Sequence, residues 1–124
     1  MTMNTVGVAT APAPSRRHQR VRNELLALHR ALIAEERRDF ELLHGRVGAG
    51  TFLHALVNEP ELSWLAPYTS LLAELDQDDL PENWDALRGQ LRHLLHVDGR
   101  YGELFERSPD VSYAHAATLF ALRG

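Results

Sequence analysis

The sequence predicts an all-α fold, a single-domain bundle of roughly four to six helices. Three observations predict it. Apolar residues recur at three- and four-residue spacings along most of the chain, which is the period of one helix face. Proline and glycine fall where helices of ordinary length would start and stop. No segment alternates apolar and polar residues as a half-buried strand does, and no internal repeat is visible. The 124 residues suit one domain with one core.

Residues 1–14 are uncharged, small and twice interrupted by proline. They offer little to bury and are expected to form a flexible tail, leaving 15–124 as the bundle domain. A long helix then runs from Ser15, a candidate N-cap, to His44, where Gly45 provides the C-terminal stop. Its apolar stripe is Val21, Leu25, Leu28, Leu32 and Leu43. Four arginines (Arg16, Arg17, Arg20, Arg22) crowd its first two turns, against the preference of the helix dipole for acids there. The ordered helix is therefore expected nearer Asn23, unless those arginines meet an anion or an acidic partner.

After the loop Gly48-Ala49-Gly50, Thr51 is the expected cap of a short helix carrying Phe52, Leu53, Leu56 and Val57. The middle is broken by proline. Pro60 opens a short helix that exposes Glu61 and buries Leu62 and Leu65, and Pro67 starts the next piece, with Leu71, Leu72 and Leu75 apolar. Asp76 to Asp79 form an acidic loop. A second long helix is expected from near Pro81 to about Val97, with Trp84, Leu87, Leu91, Leu94 and Leu95 as its stripe. Asp98-Gly99 breaks it. A following helix bears Tyr101, Leu104 and Phe105. Ser108-Pro109 starts the last, alanine-rich helix, Asp110 to Leu122, with Ser108 as cap.

Composition narrows the function classes. There is no cysteine, which excludes disulfides and cysteine-ligated zinc. There is no apolar run of about 18 residues, so no membrane partner is expected. The start of the chain lacks a secretory pattern, and a cytoplasmic protein is the expectation. The net charge is −4 and every basic residue is arginine. That sign argues against a nucleic-acid partner bound by bulk charge. The charge is segregated: residues 47–87 hold eight acids and no base, while 1–46 hold eight arginines against five acids. Such segregation permits contacts with a protein partner or between copies, or pairing inside one monomer.

Several stretches, among them Glu24-Leu25-Leu26-Ala27-Leu28-His29, Trp64-Leu65-Ala66-Pro67 and Ser108-Pro109-Asp110-Val111, resemble a family of small uncharacterised bacterial all-helical proteins. The resemblance implies an all-helical single domain and carries over no activity and no functional residue.

The candidate ligand-binding residues are Glu36 and Asp39, with His29 at the edge of the same stripe. At about 100° per residue Asp39 aligns with Val21, and Glu36 lies between Leu25 and His29. A carboxylate drawn into a stripe must be paired, hydrogen-bonded or protonated. Either it marks a small-ligand or metal site, or arginine from a neighbouring helix neutralises it; Arg88, Arg92 and Arg100 are the candidates for that role. Glu41-x-x-His44 has the spacing of a di-iron ligand pair, but no second copy occurs and Glu41 projects away from the stripe. His93 and His96 read as surface histidines, and His115 as a partly buried one. No resident cofactor or metal is expected. Trp64 and Tyr68, on the proline-broken segment, read as core or as an interface candidate, together with Arg16, Arg17 and Arg20. No nucleophile elbow, catalytic triad or phosphate loop is present. The expectation is a non-enzymatic interaction or assembly module that binds a protein partner or itself; the alternative is a ligand- or metal-binding bundle.

Overall fold

The computed structural model describes residues 13–76 and 83–123, and the side chains of all of these except 13–16. Most of the expected tail, and the acidic loop beyond Asp76 with Pro81, lie outside the described residues. Six α-helices and one 3-10 helix follow in order, with no strand among the described residues: α1 (Ala13–His44), α2 (Ala49–Asn58), the 3-10 helix (Pro60–Leu65), α3 (Ala66–Leu75), α4 (Trp84–Leu94), α5 (Gly99–Arg107) and α6 (Pro109–Arg123).

The long helix α1 is the axis. Val21, Leu25, Leu28 and Leu32 are fully buried, each contributing about 1.5–3 kcal/mol of transfer free energy. α6 packs along α1, with α3 on another side. Arg107, just before α6, reaches Glu35 near the C-terminal part of α1. At the other end Arg88 of α4 donates to the carbonyl of Leu122, and Trp84 meets His18 edge-on. α6 therefore runs back along α1, and its buried Ala114 and Ala121 let the two backbones come close. Leu71, Leu75, Leu87, Leu91 and Leu104 close this main core. Phe52, Ala55 and Leu62 form a second, smaller cluster between α2, the 3-10 helix and the end of α1.

Helix ends differ from the sequence expectation where packing overrides local preference. α1 is helical from Ala13, so Ser15 stands inside it and fraying to Asn23 is not seen. Burial of His18 and Val21 holds these turns despite the arginines, and Arg22 pairs with Asp76 at 3.0 Å. The stripe stops before Leu43, which is 80% exposed, because the neighbours along α1 end short of its last turn. Thr51 is no cap: α2 starts at Ala49 with Gly48 before it. α4 ends at Leu94, a turn earlier than expected. Other signals hold. Gly45 has φ +86° and its N–H returns to the Glu41 carbonyl at 2.8 Å, a left-handed helix stop. The Ser108 hydroxyl accepts the Val111 N–H at 3.2 Å. The 3-10 helix buries Leu62 and Leu65.

Candidate functional site

Glu36 is drawn inside. It is 4% exposed, because the face of α1 that buries Leu25, Leu28 and Leu32 continues one turn further under α5 and the 3-10 helix. Its carboxylate accepts three bonds. Trp64 Nε1–H donates at 2.7 Å, and Arg100 donates through Nε at 3.2 Å and Nη2 at 2.5 Å. This two-pronged arginine pairing is the strong form of a charge-assisted hydrogen bond. Arg100 Nη2 also reaches Asp39 Oδ2 at 2.6 Å, and Arg107 Nη2 meets the same oxygen at 2.9 Å. Arg107 Nε donates to Glu35 at 2.9 Å, and Arg100 Nη1 to Glu103 at 2.8 Å. Two arginines thus bind four carboxylates.

The ionisation states follow. Burial pulls the Asp39 carboxyl upward, but the bonds and charges of Arg100 and Arg107 outweigh it and hold it below its ordinary 3.8. The Glu36 bond, aided by Asp39 and Glu103, keeps the Arg100 guanidinium charged beyond its ordinary range. Arg107 is raised likewise, chiefly by Asp39. Glu36, Asp39, Trp64 and Arg100 also line a recess of about 360 Å³ together with Phe40 and His44.

His29 does not join this group. It is half-buried on another side of α1, where its Nε2 lies 3.4 Å from the Thr69 hydroxyl, and burial lowers its pKa below 6.5. It lines a separate, largely apolar cleft of about 550 Å³ between α1, α2 and α3. Among the described residues no group of three His, Asp or Glu side chains could hold a metal ion.

The interface candidates separate. Tyr68 is 2% exposed; its hydroxyl donates to the Leu94 carbonyl at 3.0 Å and its ring stacks on Tyr101, so it is core and offers nothing to a partner. Burial raises its pKa and that of Tyr101. Trp64 is half-buried and spends its N–H on Glu36. Arg17 is half-buried and Arg20 exposed; the Arg16 side chain lies outside the described ones. His93 and His96 are exposed. His115 is buried, with Nδ1 2.7 Å from the Tyr101 hydroxyl and its pKa lowered by burial.

Glu41 departs from expectation. It does not simply face water but accepts the Val47 N–H at 3.1 Å and Arg37 Nε at 3.4 Å, while Arg37 Nη2 donates to the Val47 carbonyl at 2.9 Å. This clasp fastens the α1–α2 loop, and the Val47 bond is the main reason the Glu41 carboxyl titrates below 4.5. Sequence reasoning also passed over Arg107. Its signal was present: Arg100 and Arg107 lie seven apart, two turns on one face of α5, opposite Glu35, Glu36 and Asp39. No family model, curated protein or solved structure matches this chain.

Proposed function

We propose that this protein is a protein-interaction or assembly module. One observation carries the reading: large apolar side chains stand in water in aligned pairs. Leu53 and Val57, one turn apart on α2, are 62% and 78% exposed, and Tyr113 and Phe120, two turns apart on α6, are 78% and 66% exposed. A single exposed apolar residue is ordinary, but aligned ones that the fold leaves uncovered mark contact surfaces. Light scattering at low and high salt, with a photo-crosslinker placed at Val57 or Tyr113, tests the reading. The expected result is a salt-sensitive oligomer or a discrete crosslinked partner. A strict monomer that crosslinks to nothing would overturn it.

The recess beside Glu36 and Asp39 favours a second reading, a small-ligand site. Against it, both carboxylates are already engaged by arginine. A thermal-shift panel of metabolites and divalent ions tests this reading; no shift with any of them would sink it.

A further inference from the structure

The C-terminal half of α1 carries a groove of about 660 Å³ lined by Arg30, Arg37, Arg38 and Arg46, with Ile33 and Leu42 as its apolar part. The one carboxylate in it, Glu41, is bound to Arg37 and the Val47 amide. Among the described residues neither Arg30 nor Arg46 pairs with a carboxylate, and Arg38 meets Glu35 only at 3.9 Å. Ile33 is also a wall of the apolar cleft that holds Leu53 and Val57. The two depressions therefore adjoin at one side chain: an arginine row on one flank of Ile33, an apolar trough on the other. From Arg30 to Leu42 the row follows α1 for about 18 Å, roughly three helical turns.

We propose that this composite groove docks an acidic amphipathic helix of a partner protein, its apolar stripe on Ile33, Leu53 and Val57 and its carboxylates against Arg30, Arg38 and Arg46. The inference rests on the reading of the protein as an interaction module and names the partner's chemistry. Charge complementarity decides the occupant. Guanidinium groups pair two-pronged with carboxylates, and the trough beside them needs apolar side chains at helical spacing, the ordinary helix-in-groove mode. A second copy fits less well. Among the described helices none presents a row of uncommitted carboxylates: Glu35, Glu36, Asp39, Glu41, Glu103 and Asp76 are bound, and those without an ion pair fall singly, Glu24 on α1, Glu61 on the 3-10 helix, Glu74 on α3, Glu106 on α5 and Asp110 on α6.

The test uses the full chain and a fluorescein-labelled peptide of about 18 residues, a helix with a leucine stripe flanked by glutamates. Companion peptides carry lysine for glutamate, or serine for leucine. Anisotropy should show binding of the acidic peptide alone, weakened at high salt. Arg30→Glu with Arg38→Glu should weaken it at least about tenfold, and Leu53→Ser with Val57→Ser at least about fivefold. All four side chains lie at the surface of the groove, and circular dichroism checks that the variants fold. Equal binding of the lysine peptide, or unchanged binding by both variants, overturns the proposal. So does a protein that ignores the peptide but binds phosphatidylserine vesicles or an oligonucleotide through these arginines, or a dimer that the same variants dissolve. If the peptide fails while the crosslinker at Tyr113 still finds a partner, this inference falls and the interaction reading stands.

Discussion

Arg100 shows how much one side chain can hold. It satisfies Glu36, which is almost wholly buried, and it links α5 to α1. Removing it leaves a buried carboxyl group with only the Trp64 N–H as partner. Breaking such a pair costs more than the pair contributes, because the remaining charge keeps its desolvation penalty. Arg100 is itself partly exposed, which lets water relieve some of that cost. Arg100→Met should therefore lower the unfolding free energy by about 2–3 kcal/mol, and Arg100→Lys should restore only part of it, having no planar fork. Urea titration of these and of Arg100→Met/Glu36→Leu checks the argument: the double variant should be the more stable of the two methionine forms. A double variant less stable than Arg100→Met would mean that Glu36 is not the stranded charge. The histidines set a pH dependence. His29 and His115 are held below their ordinary 6.5 by burial, so below pH 6.5 the unfolded chain binds protons that the folded chain refuses. Their contribution is intact above that value and is lost as pH falls from 6.5 toward the folded values. Asp39, held below 3.8, adds a second loss only at more acid pH, as its folded value is passed. Urea midpoints should decline between about pH 7 and pH 5, and His29→Gln should flatten that decline. A level midpoint over this range would contradict it.

Elements were legible where the signal is local and lost where a neighbour decides. Ser108-Pro109 started α6 as its residues predict, because a cap bond needs only the next three residues. Thr51 has the same chemistry and caps nothing. Gly48 already supplies the extended backbone before α2, and the clasp of Arg37 and Glu41 on Val47 fixes where the chain enters the helix. Arg37 and Glu41 are an i,i+4 pair on α1 that spacing finds, but the Val47 backbone they grip lies in the loop, and no spacing rule brings it there. The difference can be measured. Ser108→Ala removes a buried hydroxyl that holds the Val111 N–H and should cost about 1 kcal/mol. Thr51→Ala, at an exposed position inside α2, should change stability by less than about 0.5 kcal/mol. Thermal melts of the pair separate a working cap from a residue that only looks like one; equal losses would mean that Thr51 has a cap role after all.

At the scale of the molecule, the all-helical fold and the core of α1 were readable from periodicity alone, and Glu36 was readable as a conflict inside it. What resolved that conflict was not, because it depends on which helix comes to lie beside which. The same limit applies to stability across the fold. α2 is held mainly by Phe52, Ala55 and Leu62, a cluster apart from the main core that α1 shares with α3 to α6. An element with few buried contacts of its own opens at lower free energy than the whole. Native-state hydrogen exchange should therefore show the amides of α2 exchanging well before those of Leu25 to Leu32 in α1 or Ala114 to Leu122 in α6. Phe52→Ala should speed exchange in α2 while leaving the slowest amides of α1 nearly unchanged. If α2 instead exchanges only with global unfolding, the two clusters are one cooperative unit. The consequence reaches the outer surface: Leu53 and Val57 sit on this separately anchored helix, so a partner seated against them would add what α2 lacks, and its binding would slow exchange in α2 more than in the main core.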